Sequence, residues 1–174
     1  EKASKEEINI LQERLLQETL HYVNVNSEYY KALFLEQNID VNAIKTIADL
    51  QQLPVTTKDD LQKNNDAFLC VPKNKIIDYC TTSGTLGDPV TFGLTDKDLD
   101  RLAYNEAISF DVAGVKEGDV VQLMTTIDRR FVAGLAYFLG LRKLGVGVIR
   151  VGAGIPQLQW DSILKYQPNY LITV

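Results

Sequence analysis

Residues 119–151 read DVVQLMTTIDRRFVAGLAYFLGLRKLGVGVIRV, and the hydrophobic period changes twice within them. A short apolar strand pattern falls within residues 119–125, a helical pattern covers 130–144, and a second strand pattern covers 147–151. Beyond them, residues 157–166 return to helical spacing, and residues 169–174, after Pro168, read as a last strand. Strand, helix, strand, helix, strand with short glycine-containing joints is the pattern of a mostly parallel sheet with flanking helices, an α/β fold. The run Val146-Gly147-Val148-Ile149 is almost continuously apolar. That predicts a strand buried on both faces.

Working outward, residues 1–74 read as a helical lead-in and residues 75–174 as the α/β part. Ser4 with Glu7 three residues later forms a capping box. Ile8, Leu11, Leu15, Leu16, Leu20 and Val23 then fall on one stripe at spacings of three and four. A second helix is expected over residues 27–37 with Tyr30, Leu33 and Phe34 inward. Thr46 with Asp49, and Thr57 with Asp60, predict two short capped helices separated by Leu53-Pro54. Residues 76–80 and 90–92 read as strands. Thr95 with Asp98 caps a helix on which Leu99, Leu102, Ala103, Ala107 and Phe110 share a face, and Gly114 ends it.

Composition narrows the function classes. The 174 residues are 45% hydrophobic and 24% charged, an ordinary globular balance that excludes a disordered or disulfide-dense chain. The net charge of -5, without a basic cluster, argues against a nucleic-acid backbone or an anionic membrane surface as partner. The longest apolar run, residues 131–141, is too short to span a bilayer, and the start has no signal-peptide character. Two cysteines (Cys70 and Cys80) and one histidine (His21) make a His-based triad or zinc site a poor reading. A cytoplasmic setting is the default, and monomer and homodimer both stay open. The chain begins without methionine and stops inside a predicted strand, so the expectation is the front portion of a longer protein.

Between the strands at 76–80 and 90–92 lies Thr81-Thr82-Ser83-Gly84-Thr85-Leu86-Gly87-Asp88-Pro89. Gly84 and Gly87 let the backbone bend tightly, and successive N–H groups with nearby hydroxyls make an anion-binding concavity suited to a triphosphate. The spacing is not that of a Gly-x-x-x-x-Gly-Lys-Ser/Thr loop. On pattern alone a Thr/Gly-rich hairpin turn is an equal alternative.

The segment from Thr82 to Pro89 resembles the phosphate loop of the adenylate-forming superfamily, commonly Ser-Gly-Thr-Thr-Gly-Lys-Pro. The order of features around it resembles the phenylacetate–coenzyme A ligases. Those features are Tyr29-Tyr30, Pro54-Val55-Thr56-Thr57-Lys58-Asp59-Asp60-Leu61, Gly93-Leu94-Thr95, the stretch from Gly114 to Val121, and the stretch from Leu144 to Ile149. The resemblance implies the N-terminal portion of one adenylation domain, and ATP-dependent activation of an aryl, phenylacetate-like carboxylic acid. In that reaction the carboxylate attacks the α-phosphorus, pyrophosphate leaves, and coenzyme A thiol then displaces AMP. It implies that Thr82, Ser83, Gly84, Thr85 and Gly87 hold the β- and γ-phosphates. It also implies ATP, coenzyme A and Mg²⁺ as cofactors, and a small carboxylic acid as the partner. Adenine and ribose motifs and a lid lysine are expected downstream, so residues 1–174 alone are expected to be inactive and to bind ATP weakly at most. No catalytic side chain and no protein metal ligand is assigned within these residues.

The chain departs from the family pattern at particular residues. Asp88 stands where the loop commonly has lysine, and Leu86 replaces a threonine. Where the ligases resemble each other through Tyr- and Gly-rich residues leading to the acyl pocket, this chain has residues 124–131, including Arg129-Arg130. Two adjacent arginines offer a bidentate anion clamp, and the competing reading is solvated residues opening the helix at 130–144. Gly152-Ala153-Gly154 resembles a fragment of a dinucleotide-binding turn, a weak signal without its third glycine. Trp160, Ile163 and Leu164 read as helix packing, and Tyr79 and Cys80 as strand residues beneath the loop. Phenylacetate itself is therefore one candidate acid among several.

Overall fold

A computed structural model describes residues 3–82 and 89–173, which gather into two compact units. Residues 3–74 with 89–90 form the first, and residues 75–82 with 91–173 the second.

In the first unit, helix α1 (Lys5–Asn26) begins at the expected capping box. Glu7 N–H donates to the Ser4 hydroxyl at 3.2 Å, and the Glu7 carboxylate accepts from Ser4 N–H at 2.7 Å. That backbone hydrogen bond is the largest cause holding the Glu7 carboxyl below its ordinary range. Helix α2 (Glu28–Glu36) is capped by Ser27, whose buried hydroxyl donates to the Ala67 carbonyl at 3.0 Å and accepts from Tyr30 N–H at 3.3 Å. A 3-10 turn (Ile47–Gln52) and α3 (Lys58–Lys63) carry the capping boxes read from Thr46/Asp49 and Thr57/Asp60. The core is Leu20, Phe34, Val41 and Ile44, with Leu16, Val23, Tyr30, Ile39 and Leu53 against it.

The apolar stripe on α1 is therefore only half used. Ile8, Leu11 and Leu15 are 44–46% exposed, whereas Leu16, Leu20 and Val23 pack. Within this unit α2, the 3-10 turn and the segment between them carrying Val41 and Ile44 pack on α1, and the core they form draws on its C-terminal half. Periodicity shows which face can be buried, not how far along the helix a partner extends.

In the second unit, β1 (Asp78–Thr81) and β2 (Thr91–Leu94) form an antiparallel hairpin, from Asp78↔Leu94 to Thr81↔Thr91. Helix α4 (Asp96–Val112) starts at Thr95, where Asp98 closes the box by accepting from Thr95 N–H at 2.8 Å. Thr95→Ala removes a hydroxyl that accepts from Asp98 N–H at 3.3 Å. It is expected to cost about 1 kcal/mol in urea unfolding, and an unchanged midpoint would show that α4 does not depend on its cap.

Strands β3 (Val120–Leu123), β4 (Gly147–Arg150) and β5 (Tyr170–Ile172) form a parallel sheet in the order β4-β3-β5, with helices α5 (Val132–Lys143) and α6 (Pro156–Tyr166) as the crossovers. Val121 pairs with Val148 and Tyr170, and these residues pack with Leu141 and Leu144 at the end of α5 and with Phe110 of α4. The next residue, Gln122, faces the other way, and its Nε2 donates to the Gln159 carbonyl of α6 at 3.0 Å. Consecutive residues of one strand thus meet α5 and α6 on opposite faces, and the parallel sheet with flanking helices predicted from residues 119–174 is formed.

Two expectations are corrected. β4 is an edge strand among the described residues, with Gly147 and Arg150 exposed and Val148 and Ile149 half-buried. The most deeply buried strand is the central β3, whose Val121, Gln122 and Leu123 are fully covered while Val120 is half-buried. On α6, Ile163 is half-buried, but Trp160 and Leu164 are 58% and 60% exposed, so those two do not pack.

Helices α4 and α5 cross closely. A Cβ on Gly140 would lie 2.4 Å from Glu106 Cβ and 3.0 Å from the Ala107 nitrogen. Buried Ala103 and Ala107 sit on the same face of α4.

Candidate functional site

The hairpin closes at the Thr81↔Thr91 pair, and residues 82–90 join its two strands in the sequence. Thr82 is exposed at the start of that segment. Ser83, Gly84, Thr85 and Gly87, with Leu86 and Asp88, lie outside the described residues. Beneath the loop, Cys80 is 2% exposed and its thiol donates to Asp78 Oδ2 at 3.5 Å. Burial first, and the neighbouring Asp78 carboxylate second, push the Cys80 thiol up to about 11. A thiol held protonated at neutral pH is a packing group and not a nucleophile, while Tyr79 faces outward.

Strand β3 leads into residues 124–131, which are fastened at three points. Met124 N–H donates to the Ile172 carbonyl at 2.8 Å, and Thr81 N–H donates to the Arg130 carbonyl at 3.1 Å. Phe131 N–H donates to the Asp128 carbonyl at 3.2 Å. Arg129 and Arg130 between them have φ of 59° and 60°. Two left-handed residues inside a four-residue hydrogen-bonded turn are the φ pattern of a type I′ turn, which favours Gly, Asn and Asp. Holding arginines there costs about 1–2 kcal/mol per residue. The helix therefore begins at Val132, with Phe131 as its N-cap, and the arginines precede it in a strained turn.

The residues after β3 and after β4 face each other across a cleft of about 520 Å³, lined by residues 125–129 and 150–153. It lies outside the carboxyl ends of two parallel strands, where α/β sheets place their ligands. Its polar groups come from both walls. Thr126 donates its hydroxyl to Asp128, and this hydrogen bond, more than the Arg129 charge, holds the Asp128 carboxyl below its usual range. Arg129 Nε lies 3.9 Å from Asp128 Oδ2, both side chains well exposed. Arg150 places its guanidinium 5.1 Å from the Phe138 ring centroid, a cation–π contact. Thr125 is buried, and its hydroxyl has no partner among the described residues.

The loop after β4 owes its shape to two glycines. Gly152 and Gly154 have φ of +69° and +85°, and a Cβ at either would meet nothing within 4 Å, so backbone conformation and not space requires glycine. From behind, Gln159 Nε2 donates to the Gly152 carbonyl at 2.8 Å. Gln122 reaches the Gln159 carbonyl, so a buried glutamine in the sheet supports the helix that holds the cleft wall.

The comparisons with known proteins meet this geometry along the whole chain. No family model matches. The phenylacetate-coenzyme A ligase of Aromatoleum evansii is 31% identical over 173 residues, 99% of this chain and 39% of that protein. The phenylacetate-coenzyme A ligase of Escherichia coli (strain K12) is 30% identical over 174 residues, with the same coverage. The chain matches the N-terminal portion of phenylacetate–coenzyme A ligases.

In fold, the chain is similar to a solved structure of 2-hydroxyisobutyryl-CoA ligase in complex with 2-HIB-AMP and CoA. That match has a TM-score of 0.86 at 23% identity, over 98% of this chain and 38% of the other. It establishes the α/β fold of the N-terminal part of an adenylate-forming ligase. The chain spans about two-fifths of the length of the ligases it matches.

Among the sequence-predicted groups, the structure brings Arg129 and the Gly152-Ala153 segment to one cleft. Arg130 is not among its lining residues; its carbonyl holds the base of the hairpin. Arg150 was not singled out from the sequence, and only the pairing of β3 with β4 brings it to the same cleft as Arg129. Among the described residues no cluster of three His, Cys, Asp or Glu side chains could hold a metal ion. The residues described do not form a magnesium site by themselves. No described helix is long and apolar enough to cross a membrane.

Proposed function

We propose that this protein activates a small carboxylic acid with ATP and transfers the acyl group to coenzyme A, as an acid–thiol ligase. The observation that supports this best is the in-register similarity to two phenylacetate–coenzyme A ligases over 99% of the chain. In the first step a carboxylate oxygen of the acid bonds to the α-phosphorus of ATP. The bond from that phosphorus to the bridging oxygen breaks, and pyrophosphate leaves with its electron pair. In the second step the coenzyme A sulfur bonds to the acyl carbon, the thiol proton is lost, and AMP departs. Thr82, Ser83, Gly84, Thr85 and Gly87 are proposed to hold the β- and γ-phosphates through backbone N–H groups and hydroxyls. Such groups orient the phosphate chain and stabilise charge as it builds on the leaving group. The hairpin at Thr81↔Thr91 fixes the two ends of that loop. An aryl acid of the phenylacetate type is the substrate that the relatives' names support.

The test is acid-dependent release of pyrophosphate by the full-length protein, followed by thioester formation when coenzyme A is added. Ser83→Ala is expected to lower kcat/KM for adenylation by about 1–3 kcal/mol of transition-state stabilisation, or roughly 5- to 150-fold, with no change in thermal stability. An unchanged rate would remove Ser83 from the site. Failure of the protein to bind ATP would favour a structural, non-catalytic module.

A further inference from the structure

We infer that the cleft at the carboxyl ends of β3 and β4 binds a second oxyanion group on the acid substrate, held by Arg129 and Arg150. The inference rests on the ligase reading and narrows its substrate class to acids that carry an oxyanion besides the carboxylate being activated.

Three observations converge on it. The cleft has the ligand-binding position of a parallel sheet, and its polar lining carries two guanidinium groups against one carboxylate in a chain of net charge -5. The single carboxylate, Asp128, already accepts from Thr126, and its approach to Arg129 at 3.9 Å is long and solvated. Such a pair holds little of the guanidinium's capacity. Arg150 has no carboxylate within ion-pair distance among the described residues, and a ring face occupies one side of its plane while its N–H edge stays available. Finally, the left-handed pair at Arg129 and Arg130 is strained backbone where glycine would sit without cost, and such strain concentrates at ligand sites.

A carboxylate on the acid and a phosphate of the nucleotide would both suit two guanidinium groups. The Thr81–Arg130 hydrogen bond sets this turn beside the base of the hairpin whose loop the ligase reading gives to the phosphates. The group that reaches the cleft is then the acyl end, lying next to the phosphate chain.

The experiment compares acids that differ by one carboxylate, phenylacetate with 4-carboxyphenylacetate and butyrate with succinate, in acid-dependent pyrophosphate release by the full-length protein. Calorimetric binding of the same acids, and the KM for ATP, are measured alongside. The wild type is expected to prefer the dicarboxylate in each pair. Arg150→Gln and Arg129→Gln are expected to lower that preference about 10- to 100-fold through KM, with Arg150→Lys keeping part of it. Both side chains are exposed, and a thermal melt checks that each variant folds. A wild-type preference for the monocarboxylates overturns the assignment. So does a weakened ATP KM with the acid preference unmoved, which would give the cleft to nucleotide phosphate. If no acid is turned over but the dicarboxylate binds the wild type and not Arg150→Gln, the ligase reading falls and the cleft assignment stands. If no acid is turned over and the dicarboxylates do not bind, both fall.

Discussion

Gly134→Val is expected to lower the stability of the α/β unit by about 3 kcal/mol or more, read as a shift of the urea midpoint at an unchanged slope. A Cβ on Gly134 would lie 1.8 Å from the Thr126 carbonyl oxygen, 2.8 Å from its carbon and 3.2 Å from Ile127 Cα. All three obstacles are backbone, so no rotamer change relieves the contact. The segment they belong to is pinned on both sides, by Met124 to Ile172 and by Arg130 to Thr81. Gly134→Ala isolates the effect. In an exposed helix that change gains up to about 1 kcal/mol from propensity, and here the clash should reverse its sign. A Gly134→Ala protein as stable as the wild type would mean that α5 does not rest on residues 126–127 as described.

Leu141→Ala should cost about 2–5 kcal/mol, because Leu141 is fully buried at the centre of the second core. Its neighbours Val115, Val121 and Val146 come from three different segments (the joint after α4, strand β3 and the joint before β4), so collapse onto the smaller side chain is limited. Chemical denaturation of the two proteins measures the loss. A cost below 1 kcal/mol would indicate that the face of the sheet covered by α5 repacks freely. The same experiment on Gln122→Met bears on the other face, where Gln122 Oε1 is buried without a partner among the described residues.

What could be read from the sequence was what a few neighbouring residues decide together. The boxes at Ser4/Glu7, Thr46/Asp49, Thr57/Asp60 and Thr95/Asp98 are each a four-residue arrangement, and all four are formed. The changes of period after residue 119 fixed the alternation of strands and helices, because a buried face needs its spacing wherever the partner comes from. What could not be read depends on distant partners. The spacing of Ile8, Leu11 and Leu15 matches that of Leu16 and Leu20, yet only the latter two meet a core. Val148 and Ile149 look like central-strand residues, but among the described residues sheet order puts them at an edge. The turn at Arg129 and Arg130 lacks the glycine or asparagine that marks such backbone, so it was hidden behind a helix reading. Arg150 joined the candidate site only once parallel pairing had placed the ends of β3 and β4 side by side. The phosphate-loop residues Ser83, Gly84, Thr85 and Gly87 stay with the family resemblance, as they lie outside the described residues.

The contact between the hairpin and the turn, from Thr81 N–H to the Arg130 carbonyl, is made by main-chain atoms alone. Side-chain replacement at position 130 therefore leaves the tether in place, and glycine or asparagine there would even relax it. On the reading proposed above, Arg129 can change with substrate preference while this main-chain tether stays in place. Cutting the tether takes loss of an amide proton, which among the natural residues means proline at position 81.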